Sequence, residues 1–213
     1  MTRPVLAWLA LTVALTAAAA AAAARDSYFD QRLALFRALR SLNVELQSHD
    51  SATAVLQTIC DRRAPGQKIV ARKSTWAPEG RALDAARADL GVGPEEPIRY
   101  RQVELTCGDE VLSSAENWYV PARLTPEMNR ALDETRTPFG VVVGPLKFRR
   151  RTLASAFLFE PLPEDWERHP RTDFDAAPSP PPHVLRHRAV LATPDGRPFS
   201  LVVETYTDRV LAN

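Results

Sequence analysis

Residues 98–120 read IRYRQVELTCGDEVLSSAENWYV, and this stretch decides the fold. Side chains alternate between the two faces of a strand, so Arg101 shares one face with Val103 and Leu105. Gly108-Asp109 then supplies the residues of a tight turn, and the chain returns with a second strand pattern. The stretch therefore predicts an antiparallel β-hairpin that carries an arginine on an otherwise apolar face.

Strand and helix patterns continue on both sides of this hairpin. Leucines at steps of three and four predict a helix over 27–48, and Ser51 is a suitable N-cap for a second one. Further helices are predicted at 79–90 and 124–135, and further strands at 68–74, 148–159, 183–192 and 198–206. Strands joined mainly by hairpins and mixed with helices indicate an α+β domain with a single antiparallel sheet.

A proline-rich segment interrupts the pattern. Residues 160–182 contain seven prolines, which exclude a regular helix or strand over this length. We therefore predict a long loop here, within a single domain spanning residues 25–213.

The N-terminal residues 1–24 have the pattern of a secretory signal peptide. Arg3 is followed by an apolar stretch and a run of alanines, and charged residues begin at Arg25. The alternative is a membrane anchor, but the alanine run is less apolar than a spanning helix requires. We expect cleavage near Ala24, a periplasmic or secreted mature protein, and no membrane insertion after cleavage.

Composition limits the partners and cofactors. The formal net charge is +1 and falls to zero without Arg3, so nucleic acid is not an expected partner. The sequence contains no glycine-rich phosphate loop, no paired CxxC and no HExxH, and its four histidines lack ligand spacing. We predict no cofactor, no metal site and a monomer. His187 lies on an apolar strand face and is predicted to be a hydrogen-bonded core residue.

The two cysteines, Cys60 and Cys107, leave two alternatives open. In an oxidising compartment they can form a disulfide. They can also be two buried thiols that never meet, because disulfide geometry is demanding and the sequence supplies no distance.

The second half of the chain resembles the chorismate lyase family. The order of motifs carries the resemblance: RQVELTCGD at 101–109, NWYVP at 117–121, TPFG at 137–140, and GRP at 196–198 before VVE at 202–204. The resemblance covers residues 100–206. It implies a six-stranded antiparallel sheet with helical flaps over a buried site that binds a small aromatic carboxylate.

The resemblance also implies roles for individual residues. Arg101 would hold the ligand carboxylate, Phe139 and Gly140 would form the apolar wall, and Glu204 would bind a hydroxyl or act as an acid. Each charged residue has a second interpretation. Arg101 could extend to water, and Glu204 could form an ion pair with Arg186 or Arg188 across the hairpin.

Three further positions are assigned to ligand binding. When the sequence is aligned with the family at Cys107, Gln102 falls at the position of the family's carboxylate-binding arginine. A one-residue β-bulge between the two positions would place Arg101 there instead. Asn117 stands where the family has a second arginine, and Arg188 lies near Glu204 on the hairpin.

Two functions follow. The first is a lyase that cleaves chorismate to 4-hydroxybenzoate and pyruvate with Arg101 and Glu204. The second is a non-catalytic exported protein that binds an aromatic acid. Loss of one cation at Asn117 and the signal pattern favour binding, whereas the retained Glu204 favours cleavage. A partner-binding module without an enclosed cavity is the third possibility.

Overall fold

The computed structural model describes residues 4–73 and 80–212, and its centre is one six-stranded antiparallel sheet. The strands lie in the order β1-β2-β3-β6-β5-β4. Their bounds are β1 Ile69–Lys73, β2 Arg99–Cys107, β3 Glu110–Tyr119, β4 Arg149–Phe157, β5 His183–Ala192 and β6 Pro198–Thr207. The predicted α+β class, the single antiparallel sheet and the number of strands are confirmed.

Five α-helices accompany the sheet: α1 Pro4–Ser48, α2 Ala52–Arg63, α3 Gly80–Leu90, α4 Pro126–Glu134 and α5 Phe139–Val142. Ser51 caps α2 by accepting a hydrogen bond from the Ala54 backbone N–H, as the sequence predicted. Helix α1 begins well before the predicted position 27, because alanine has the highest helix propensity. A search of the described helices found none long and apolar enough to cross a membrane.

The chain divides into two compact units. One consists of residues 1–38 and 160–180, and the other of residues 39–159 and 181–213. The first contains the proline-rich loop, where Phe29 packs on Phe174 and Trp166, with ring centroids 5.3 and 5.9 Å apart. The second unit contains the whole sheet and every site considered below.

The sheet has two different faces. On the outer face, α3 packs on the sheet through Ala86 and Leu90, which contact Trp118 and Leu201. The inner face carries a second apolar cluster, which includes Phe139 and residues of α4. Neighbouring positions along each strand point to opposite faces, so this division fixes which side chains can meet.

A disulfide joins Cys60 of α2 to Cys107 at the end of β2, with the Cα atoms 5.7 Å apart. It closes a sequence separation of 47 residues. Helix α2 is thus covalently attached to the sheet at its C-terminal end, while its N-terminal end lies against α5, where Gly140 approaches Ser51 and Thr53.

Candidate functional site

A row of polar residues crosses the inner face of the sheet. Arg101 on β2 is paired with Asn117 on β3, and Glu204 on β6 is paired with His187 on β5. All four are buried, with no more than 7% of any of them exposed. Buried polar groups must be hydrogen-bonded or charge-paired, so each member of the row needs a partner.

Glu204 forms a buried ion pair with Arg150 of β4. Arg150 Nη2 donates to Glu204 Oε2 over 2.6 Å, reaching across β5, and the two side chains are 3% and 9% exposed. The Tyr206 hydroxyl donates to the same oxygen over 3.1 Å. The predicted alternative of an ion pair is therefore present, but its partner is Arg150 and not Arg186 or Arg188.

The surroundings of the pair shift the pKa of Arg150 and of the neighbouring Tyr206. Burial by itself lowers the pKa of Arg150, but Glu204 and Tyr206 outweigh it and the pKa lies above its ordinary value. Burial, followed by the negative charge of Glu204, raises the pKa of Tyr206 well above its ordinary value. Tyr206 therefore remains a neutral donor beside a charged pair.

His187 is the hydrogen-bonded core residue that the sequence predicted. Its Nε2 lies 2.8 Å from Asn43 Oδ1, which also accepts from the Ser155 hydroxyl over 2.7 Å. Burial, followed by the charge of Arg150, lowers the pKa of His187 to about 4. His187 is therefore neutral near pH 7, with the proton on Nε2 as the donor to Asn43.

This lowered pKa predicts acid sensitivity. Between pH 6.5 and pH 4 the unfolded chain takes up a proton at His187 that the folded protein does not, so the free energy of unfolding falls as the pH falls. The loss between pH 7.5 and pH 5 should be about 2 kcal/mol. Urea unfolding at both pH values should show that His187→Gln removes this part of the pH dependence, whereas His183→Gln, at an exposed position, leaves it. An unchanged dependence in His187→Gln would refute the assignment.

A small cavity lies between the inner face and the N-terminal end of α2. Its volume is about 30 Å³, and its lining includes Asn117, Phe139, Gly140 and Glu204. A water molecule needs about 10–15 Å³ by this measure, and ligand pockets have about 300–1,000 Å³. The cavity therefore has room for water but not for an aromatic acid. Three predicted site residues besides Glu204 do meet here, but Arg101 is not among the lining residues.

A larger open groove lies on the other side of Ser51 and Thr53, which line both spaces. Its volume is about 520 Å³, within the range of ligand sites. The lining residues come from α2, β1 and the segment before and within α5: Ser51, Thr53, Ala54, Gln57, Lys68, Ile69, Val70, Arg136, Thr137, Pro138 and Val141. None of these residues was predicted to belong to a site, because they follow no common motif.

Arg101 lines neither the cavity nor the groove, but it is hydrogen-bonded to a lining residue of each. Its Nη2 donates to the carbonyl oxygen of Thr137 over 3.1 Å, and Thr137 lines the groove. Its backbone carbonyl accepts a long hydrogen bond from Asn117 Nδ2, and Asn117 lines the cavity. The Nε and Nη1 atoms of Arg101 are buried without a partner among the described residues. Burial lowers the pKa of this guanidinium.

Two predicted ligand-binding residues lie elsewhere. Gln102 and Arg188 occupy positions one residue away from Arg101 and His187, so they point to the outer face of the sheet. Arg188 is paired there with Asp89 of α3, its Nε donating over 2.8 Å. The strand alternation already placed Arg101, not Gln102, inside, so the assignments of Gln102 and Arg188 are corrected.

The predicted catalytic pair is not assembled. Glu204 is held by Arg150 and Tyr206, and it lines a cavity that Arg101 does not line. Among the described residues, no group of three or more His, Cys, Asp or Glu side chains could hold a metal ion. Glu204 and Arg101 are therefore held separately on the inner face, and the groove is the larger of the two spaces described here.

Sequence comparison with known proteins identifies the family of this chain. No family model matches it. It is 45% identical over 185 residues to "Uncharacterized protein y4mC" of Sinorhizobium fredii, covering 84% of this chain and 78% of that protein. The chain belongs to the family of y4mC.

Among the solved structures similar to this y4mC family member are an effector domain and two transcriptional regulators. The effector domain of PhnF from Mycobacterium smegmatis has a TM-score of 0.44 at 14% identity, covering 69% of this chain and 85% of that one. A GntR-family regulator from Enterococcus faecalis has a TM-score of 0.41 at 13% identity, covering 67% and 96%. YydK, a possible transcriptional regulator from Bacillus subtilis, has a TM-score of 0.40 at 14% identity, covering 68% of this chain and 60% of that one. The chain thus spans less than two thirds of YydK.

These findings correct the family inferred from the sequence. The chain is a relative of y4mC and is not assigned to the chorismate lyases. The sequence pattern predicted the arrangement of the sheet correctly but not the family. Proteins with different functions can share one sheet arrangement.

Proposed function

We propose that this chain binds a small aromatic carboxylate in the groove, with the carboxylate held by Arg101. The observation that carries the proposal is the guanidinium of Arg101, which is buried with two nitrogen atoms unpaired beside Thr137. A buried unpaired donor is costly, and a carboxylate is the group that a guanidinium binds with two parallel hydrogen bonds. Ligand binding would remove this cost.

The groove offers an apolar surface for the rest of the ligand. Ile69, Val70, Pro138 and Val141 are among its lining residues. Val141 is 56% exposed, so its side chain is accessible to a ligand. An aromatic ring placed over these residues would bury apolar surface. Such burial contributes about 25 cal/mol to the binding free energy per Å² of area removed from water.

The proposal places the ligand outside the small cavity. That cavity has about 30 Å³, so it lacks the room, and the charges of Arg150 and Glu204 balance each other there. The ligand carboxylate would instead approach Arg101 at Thr137, which lines the groove in front of this arginine. We propose binding without cleavage, since Glu204 does not line the groove and is already paired with Arg150 and Tyr206.

Replacing Arg101 should weaken this binding. A hydrogen bond to a charged group contributes about 1.5–3 kcal/mol, so Arg101→Gln should raise the Kd for 4-hydroxybenzoate about tenfold or more. Calorimetric titration of the purified chain measures this directly. Arg130→Gln is the matched control, because Arg130 is exposed on α4 and does not line the groove.

Circular dichroism should show that both variants remain folded. Equal affinity in wild type and folded Arg101→Gln would remove Arg101 from the site. No binding to wild type at millimolar 4-hydroxybenzoate would remove the proposed ligand class.

We also propose that the mature chain functions in an oxidising compartment. Two features support this: the signal pattern of residues 1–24 and the disulfide between Cys60 and Cys107, a bond that reducing compartments rarely maintain. Expressed in a Gram-negative host, the protein should be recovered from the periplasm with its N-terminus near Arg25. Full-length protein retained in the cytoplasm would contradict the proposal.

A further inference from the structure

The groove is positively charged. Lys68 and Arg136 are both exposed and both line it, and its described lining residues include no aspartate or glutamate. Over the described residues, neither side chain forms an ion pair or a hydrogen bond within the chain. Two cations therefore face this groove without an anion to balance them.

Neighbouring basic residues behave differently. Arg72 of β1 lies 3.9 Å from Glu104, Lys73 donates to the carbonyl oxygen of Asp133, and Arg99 pairs with Asp133 over 2.8 Å. These three basic residues thus have partners on the protein, whereas Lys68 and Arg136 have none among the described residues. Their charges are therefore available to an anionic group of a ligand.

The position of Arg136 links these cations to Arg101. The backbone carbonyl of Arg136 accepts from the Ala71 N–H over 2.7 Å, which attaches it to the edge of β1. The next residue, Thr137, is the acceptor for Arg101. Lys68 lies on the other side, just before β1 begins. Two cations, Lys68 and Arg136, therefore line the groove, and a third, Arg101, lies behind its lining residue Thr137.

We infer that the ligand of this groove is an aromatic dicarboxylate, with one carboxylate on Arg101 and the second between Lys68 and Arg136. This inference rests on the proposed function and specifies its ligand. The second carboxylate would gain two ion pairs at a partly exposed site. Exposed ion pairs are individually weak, but two of them acting on one carboxylate should together raise the affinity about tenfold.

Three probes test the inference: benzoate, isophthalate and terephthalate, the last two carrying the second carboxylate at different positions on the ring. Calorimetry at 0.15 M salt should show that at least one dicarboxylate binds about tenfold more tightly than benzoate. In Lys68→Gln/Arg136→Gln this advantage should disappear, while the Kd for benzoate changes by less than about threefold. The control is Arg62→Gln/Arg130→Gln, which removes two exposed charges outside the groove and should keep the advantage.

The outcomes separate the two proposals. If benzoate binds but neither dicarboxylate binds more tightly, the dicarboxylate inference is overturned and the binding of a monocarboxylate stands. If the advantage persists in Lys68→Gln/Arg136→Gln, these two residues are not the second site and the inference is again overturned. If none of the probes binds to wild type, both proposals are overturned.

Discussion

Glu204→Gln should destabilise the protein by about 3–5 kcal/mol, which is the usual effect of breaking a buried ion pair by removing one partner. The substitution keeps the size of the side chain but removes the negative charge. Arg150 would then remain 3% exposed as a cation without a counter-charge, and Tyr206 would lose its charged acceptor. Urea unfolding at pH 7 measures the change in the free energy of unfolding.

A double-mutant cycle separates this effect from general damage to the core. Adding Arg150→Met to Glu204→Gln removes the isolated cation. The double variant should therefore be at least about 1 kcal/mol more stable than expected from adding the destabilisation of the two single variants. Asp133→Asn is the control, because its pair with Arg99 is about half exposed on both sides and should contribute less than about 1 kcal/mol. Additive effects of Arg150→Met and Glu204→Gln would show that the pair is not coupled.

The inward position of the main charged residues was predictable because a strand has a strict period of two. Arg101 follows from its alternation with Val103 and Leu105, and both are buried on the inner face. Glu204 follows in the same way from Val202 and Tyr206. The local rule is sufficient for these residues because it needs only neighbours along one strand.

The partners of these residues were not predictable by the same rule. Arg150 reaches Glu204 across an intervening strand, and His187 meets Asn43 of α1 over a separation of 144 residues. Arg150 also lies in a run of three arginines on β4, where nothing local distinguishes the buried one from its exposed neighbours. Such pairings depend on strand order, which the sequence pattern did not specify.

The groove escaped prediction for a related reason. Its cations come from a turn before β1 and from the segment after α4, two places without a periodic pattern. They line the same groove because Ala71 of the edge strand donates to the carbonyl oxygen of Arg136. The family resemblance pointed instead to Phe139 and Glu204, which line a space the size of a few water molecules.

The disulfide should account for a large part of the stability of the sheet-containing unit. Replacing both cysteines in Cys60→Ala/Cys107→Ala should lower the free energy of unfolding by about 4 kcal/mol, since the bond closes a separation of 47 residues and its main effect is to restrict the unfolded chain. Because Cys60 belongs to α2 and Cys107 ends β2, the loss should reduce the protection of amide protons on α2 more than on β5 and β6. Urea unfolding and hydrogen exchange measure the two effects.

Reductant provides the matched control for this variant. Adding dithiothreitol to wild type should lower its stability to that of Cys60→Ala/Cys107→Ala, and adding it to the variant should change nothing. Groove residues Ser51, Thr53 and Gln57 lie on the helix that the disulfide anchors, so the Kd for 4-hydroxybenzoate should rise in the reduced protein as α2 gains freedom. Wild type that keeps its full stability after complete reduction, verified by thiol titration, would show that packing alone holds α2 against the sheet.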